Sequence, residues 1–307
     1  MKTPVITYRE HQELGDVVWR RNFDASSIEA KSIGKPILLL FQEIPGCSTC
    51  VRFGRDALAH PLMVEMIQDH FVPVAIYNNR KGPDAEIVRR FGEPAWNNPV
   101  VHFLNPDGTA LLPKLSDRYD AIALHDKIAG AVERMGWEVP EYFRLLRGDL
   151  LIDSGLANKA WYETPCFWSG EVSLLEHPAV LSTDAGWIEG EEVVEVHFDP
   201  RIASLADLDH FARNEGFVRA RSGRFGIDTD PQYYLAKTNF SFLPLTKVQR
   251  SKINHAIPYR LDPEAFISPT QLGWLHASAS QPRRDLTNYR QDIRDAWHRM
   301  WPDSKAA

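Results

Sequence analysis

Cysteine is scarce, with only 3 in 307 residues. That is too few for a disulfide scaffold in a chain this size, so any cysteine chemistry must come from individual thiols. No stretch approaches the ~20 consecutive apolar residues of a membrane span. The opening residues, Met1-Lys2-Thr3-Pro4 then Val5 to Glu10, lack the apolar core of a signal peptide. A reducing, cytoplasmic setting is the expectation. Positive charge is also short: 35 Lys and Arg stand against 41 Asp and Glu, a formal net charge of -6, which leaves no basic footprint for nucleic acid. What remains is 44% hydrophobic and 25% charged, an ordinary globular composition, with length enough for two domains at about 150 residues each.

Two of the three cysteines fall in Ile44-Pro45-Gly46-Cys47-Ser48-Thr49-Cys50. The apolar run Pro36 to Phe41 precedes them, and the amphipathic Val51 to Leu58 comes after, which predicts a buried strand turning into a helix that carries both thiols in its first turn. Unpaired N–H groups and the positive helix end favour a thiolate there, so Cys47 is expected to have a depressed pKa and to be the attacking sulfur. Cys50, about one turn on, is expected to point inward and close a reversible disulfide. The alternative is half of a zinc site, which needs two further soft ligands. Cys166 is the remaining cysteine and no His stands at short regular spacing near Cys50. No metal and no cofactor are implied.

Around the dithiol the pattern predicts a helix over 10–33 stopped at Gly34 and Pro36, a strand at 37–42, a helical piece from Pro61 through Met66, and a second buried strand at 71–77. A helix over 84–91, a strand over 97–104 entered through Pro99, a turn at Asn105-Pro106-Asp107-Gly108 into a partner strand at 109–113, and an amphipathic helix over 119–136 complete it. This order around Cys-x-x-Cys resembles the thioredoxin fold over about residues 10–137. The Pro-Gly-Cys turn is similar to a thioredoxin-like group in which some members carry selenocysteine at the position of Cys47. The resemblance implies a cis peptide before Pro99, whose neighbouring backbone would present hydrogen-bonding groups to substrate sulfur. Residues 138–160 read as a linker with a helix near 140–147.

A second domain, 161–260, begins around Thr164-Pro165-Cys166-Phe167-Trp168-Ser169-Gly170-Glu171. Cysteine before two large aromatics is also an ordinary core pattern. Together with Glu191-Glu192-Val193-Val194-Glu195-Val196-His197-Phe198-Asp199-Pro200, the helix-like Ser204 to Phe211, and Asp228-Thr229-Asp230-Pro231-Gln232-Tyr233-Tyr234-Leu235-Ala236, it resembles peptide methionine sulfoxide reductase A. The implied fold class is α+β, a thioredoxin-like domain joined to one with that family's ferredoxin-like fold. The resemblance implies Cys166 as nucleophile, Phe167 and Trp168 as the S-methyl pocket, Glu192 as the acid that protonates the departing oxygen, and Tyr233 with Asp228 as hydrogen-bonding support. Trp187 stands where the family has a smaller aromatic and is taken as substrate-binding.

Pro165 and Ser169 replace the glycines flanking Cys-Phe-Trp, the loop before Glu192 is short, and the family's second active-site Tyr has no counterpart. No cysteine comes after Cys166, so its sulfenic acid would need a thiol from elsewhere. The expected function is therefore thiol-dependent reduction of methionine sulfoxide in proteins or peptides, a repair role under oxidative stress. The dithiol would act as in-chain reductant, itself recharged by a thioredoxin or glutathione system. The alternatives are a thioredoxin-like thiol–disulfide oxidoreductase whose second domain only binds a partner, or a degenerate fold with Glu192 a solvated strand-end carboxylate and Tyr233 a core ring.

A helical extension, 261–307, interleaves Trp274, Tyr289, Trp297 and Trp301 with Arg283, Arg284, Arg290 and Arg294. Such a pattern can mark nucleic-acid binding, but in an acidic chain an amphipathic helix docked on the body is the preferred reading. Neither nucleic acid nor membrane is expected as a partner.

Overall fold

The computed structural model describes residues 11–94, 96–221, 223–278 and 288–300, and the chain divides into two units, Met1–Phe143 and Arg144–Ala307. The N-terminal residues 1–10, Arg283, Arg284 and Trp301 lie outside the described residues. No helix among the described residues is long and apolar enough to cross a membrane.

The first unit is built on a four-stranded sheet in the order β2-β1-β3-β4. Strands β1 (Ile37–Gln42) and β2 (Val72–Tyr77) are parallel and fully buried, which is why both read as unbroken apolar runs. Strand β3 (Val100–Leu104) returns antiparallel to β1, and the Asn105–Gly108 turn leads to β4 (Ala110–Leu115). Helices α1 (Phe23–Ile33), α2 (Ser48–Phe53), α3 (Pro61–His70), α4 (Pro83–Arg90) and α5 (Ala121–Arg134) surround the sheet. The single helix expected over 10–33 is instead a 3₁₀ turn at Gln12–Leu14, an extended stretch, and α1. Gly15, at φ 59, breaks the first piece. Arg20 then pairs its backbone with Pro73 and Ala75 beside β2, and Asn22 caps α1 by accepting from the Ala25 N–H. A π-helical turn at Gly54–Leu58 succeeds α2.

The stretch 138–160 is more structured than a linker. It holds α6 (Glu141–Asp153) and the start of β5 (Asn158–Glu163). In the second unit α7 (Phe167–Leu174), β6 (Val180–Ile188), β7 (Glu191–Phe198), α8 (Leu205–Asn214), β8 (Val218–Arg219) and β9 (Gly226–Ile227) come after β5, and the sheet is antiparallel in the order β8-β5-β7-β6-β9. One face carries Ala160, Tyr162, Ala185, Val194, Val196 and Phe198, packed with Phe167, Leu174 and Leu208 of α7 and α8. The opposite face is buried but polar. There Asp184 and Glu195 are cross-strand partners, and Lys247 of α10 (Lys247–Tyr259) reaches Asp184 at 2.5 Å and Glu195 at 3.7 Å. β6 and β7 join through a two-residue turn, Glu189 at φ 52 and Gly190 at φ 92.

Beyond β9, α9 (Tyr233–Ala236), α10, α11 (Pro269–Ser278) and α12 (Ile293–Met300) complete the unit. Of the late aromatics, Tyr289 is buried with Leu235, Leu243 and Ile253, Trp274 packs against that cluster, and Trp274 meets Trp297 edge-on at 4.7 Å. Arg290 pairs with Asp230 at 3.0 Å. These residues are packed into the body as the docked-helix reading expects.

Candidate functional site

Two cysteine sites exist, one in each unit. In the first, β1 delivers the chain to the turn, Cys47 is the N-cap of α2, and Cys50 lies one turn in. Cys47 is exposed, Cys50 is wholly buried, both are free thiols, and their sulfurs are 3.6 Å apart. The Cys47 thiol is drawn below its ordinary value, chiefly because the Cys50 backbone N–H donates to its sulfur; burial opposes this, and the Cys50 thiol and Thr49 add further donors. Burial pushes the Cys50 thiol up to about 12, with its hydrogen bond to Cys47 adding to the rise. The two thiols are thus unequal, the exposed one easier to ionise than the buried one. The Asn98–Pro99 peptide is cis and Pro99 is buried. Val100, the next residue, pairs with Phe41 at the end of β1 that leads to the dithiol, so Pro99 stands at the same end of the sheet.

Glu43 was not anticipated in this site. Its carboxylate and the two sulfurs lie within 4.8 Å of one another. Among the described residues these three donors are one short of a structural zinc set, and one of them is a hard oxygen.

In the second unit the seven residues singled out in the sequence come together. Cys166, half-buried, is the N-cap of α7. The Phe167 N–H, the first free donor of that helix, donates to the Glu192 carboxylate at 2.8 Å. Glu192 is half-buried, not a solvated strand end. Trp187 is its cross-strand partner in the β6–β7 hairpin, so both side chains project on the face that α7 covers. The Trp187 ring meets Phe167 edge-on at 5.1 Å, and its indole N–H donates to Asp228 at 3.1 Å. Trp168 stacks on Tyr233 with centroids 4.1 Å apart and planes 19° apart, and Lys237 Nζ is 3.4 Å from the Tyr233 ring centre. Tyr233 is half-buried, so it is not a core ring.

A buried carboxyl beneath this cluster escaped notice as a functional residue. Glu171, on α7, accepts from the Ala185 N–H at 2.9 Å and the Gln232 N–H at 3.2 Å. Gln232 has φ 53 and immediately precedes Tyr233, so Glu171 ties the Tyr233 segment to the helix that begins at Cys166. Burial, then the nearby Asp184 charge, raises the Glu171 carboxyl well above its usual range. Its signal in the sequence was the Cys-x-x-x-x-Glu spacing. Its partner lies 61 residues away and gives no local signal.

A family model described as thioredoxin-like matches residues 18–106. Among solved structures, a DsbH oxidoreductase is 17% identical, with 39% of this chain and 88% of that one covered and a TM-score of 0.33. The solution structure of a thioredoxin from Thermus thermophilus is also 17% identical, with 39% and 90% covered and a TM-score of 0.34. No curated protein matches. The N-terminal unit is thioredoxin-like, and the order of its strands and helices around Cys47 and Cys50 agrees with that assignment.

Proposed function

We propose, from a thioredoxin-like segment carrying an asymmetric dithiol, that this protein is a thiol-dependent oxidoreductase that reduces methionine sulfoxide in oxidised proteins or peptides. The observation that carries the reading is the Glu192 carboxylate 2.8 Å from the Phe167 N–H, one residue from Cys166 and walled by aromatics. In the proposed reaction the Cys166 thiolate attacks the sulfoxide sulfur. Glu192 gives a proton to the oxygen, and the thioether leaves with Cys166 as a sulfenic acid. The Cys47 thiolate then attacks the sulfenic sulfur and water departs, leaving a Cys47–Cys166 disulfide. Cys50 attacks Cys47, frees Cys166 and leaves a Cys47–Cys50 disulfide for an external thioredoxin or glutathione system to reduce. Phe167, Trp168 and Trp187 supply apolar walls for the S-methyl group, and Tyr233 with Asp228 supplies polar support.

The strand-helix-strand-strand-helix-strand order from β5 to β8, in the spatial order β8-β5-β7-β6, supports a ferredoxin-like reading of the second unit. A cysteine-poor sequence suits a reducing compartment such as the cytoplasm. The test is turnover of free and peptide-bound methionine sulfoxide with dithiothreitol. No turnover, with dithiol exchange intact, would leave the second reading, a thiol–disulfide oxidoreductase whose second unit binds a partner. That reading is favoured by Pro165 and Ser169 beside Cys166, where the family resemblance implies glycines.

A further inference from the structure

The dithiol turn is braced by a segment that precedes residues 18–106. Glu13, in the 3₁₀ turn Gln12–Leu14, is only 6% exposed, and its carboxylate accepts from the Gly46 N–H, next to Cys47, at 2.6 Å. The Glu13 backbone carbonyl accepts from Gln42 Nε2 at 2.8 Å, and the same nitrogen is 3.4 Å from the Cys50 carbonyl. The fit to the far end of the cysteine helix is close. A Cβ on Gly54 would stand 2.1 Å from the Gln12 carbonyl oxygen, and one on Gly15 would stand 2.3 Å from Leu58 backbone atoms. The Asp16 N–H donates to the Leu58 carbonyl at 2.9 Å. Gly46 has no room for a side chain either, since a Cβ there would lie 2.6 Å from Cys50 Cβ.

We propose that Glu13 is a positioning residue that sets the reduction potential of the Cys47–Cys50 pair, fixing the turn through Gly46 and placing a buried negative charge beside it. A like charge in a low-dielectric setting disfavours a thiolate but is indifferent to a neutral disulfide. Glu13 therefore shifts the pair toward its oxidised form, which makes the dithiol a stronger electron donor. A dithiol whose reduced form is stabilised does the opposite and becomes an oxidant. The inference rests on the dithiol being redox-active, the coarser half of the proposed function, and is independent of the chemistry at Cys166.

The experiment equilibrates the full chain with dithiothreitol buffers and quantifies the Cys47–Cys50 disulfide by trapping and peptide mapping, for wild type, Glu13→Gln and Glu13→Asp. Gln keeps an acceptor for the Gly46 N–H and removes the charge, so its equilibrium should move about tenfold toward the dithiol, or about 30 mV. Asp keeps the charge and should move less than Gln. A purely structural role would lower the melting temperature of both variants without moving the potential. Equilibria of both variants within about twofold of wild type would overturn the proposal. A wild type that forms no Cys47–Cys50 disulfide in any buffer would instead overturn the redox reading of the dithiol itself.

Discussion

Cys47 and Cys166 are the same device used twice. Each comes after a strand and is the N-cap of a helix with no side-chain cap of its own. The difference lies in where the free N–H groups go. At α2 the Cys50 N–H donates to the cysteine sulfur, and a second sulfur waits 3.6 Å away. At α7 the first free N–H is taken by a carboxylate from β7, and Cys166 is the one cysteine among the described residues of its unit. The two helix starts differ in what stands beside the thiol, a second sulfur at Cys47 and the Glu192 carboxyl at Cys166, and the proposed chemistry of each site turns on that neighbour.

The sharpest way to break the comparison is Cys166→Ser. It should abolish sulfoxide turnover, by about 10³-fold or more for a lost nucleophile, while the equilibrium of Cys47 and Cys50 with dithiothreitol stays within twofold. Loss of both activities would mean that the sites are not separable. Glu192→Gln should leave the melting curve in place and slow turnover by about 10²-fold. Unchanged turnover would move the proton donor, for instance to Glu189 or Glu191.

Cys50→Ser should trap a Cys47–Cys166 disulfide within one chain after a single oxidation by substrate, because a tether raises the local thiol to something like millimolar. Non-reducing peptide maps would show it. No crosslink, with full activity when the chain is cut between the units, would sink the relay.

Alkylation near neutral pH should label Cys47 at least about tenfold faster than Cys50, since the thiolate is the nucleophile. In stability the signs are opposite. The Cys47 contribution to the reduced fold is present above the unfolded thiol value and lost as pH falls through its lowered one. The Cys50 contribution is present below the unfolded value and lost as pH rises toward about 12. Urea melts of reduced Cys47→Ser and Cys50→Ser across alkaline pH would check both.

The smallest effect belongs to Glu171→Gln. A carboxyl raised by burial stabilises the fold only below the unfolded carboxyl value, so wild-type stability should fall as pH rises from about 4.3 through the raised value. The Gln variant should lack that slope and differ from wild type by about 1 kcal/mol or less at acid pH.

Much of the molecule was legible because it is local. Strands buried on both faces must be apolar at every position, so Ile37 to Phe41 and Val72 to Ile76 declare themselves. The Asn105–Gly108 turn and the helix starts at Asp120 and Ser204 are written in short-range capping chemistry. Cys166 and the six residues grouped with it could be named only through the resemblance of their motifs to a known family. What could not be read is long-range. Glu13 reaches Gly46 across 33 positions and Glu171 reaches Gln232 across 61, and neither pairing leaves a trace beside either partner. The helix expected near 140–147 is there, but as α6 it runs on to Asp153, and that further half was missed because Gly148 looks like a break. Gly148 is there for closeness, since a Cβ would lie 3.2 Å from both Leu181 and Val248.

The turn at Glu189 and Gly190 works as a fixed caliper. Two residues with positive φ are the shortest link that lets β6 and β7 pair, and that link sets Trp187 opposite Glu192 and Ile188 opposite Glu191. Side chains alternate across a sheet, so a slip of one position would turn Glu192 to the far face and bring Glu191 to the site in its stead. The gap between the indole and the carboxyl is therefore gauged by the tightest part of the chain, and a longer insert at 189–190 is the change that would let the mouth of the Cys166 site widen.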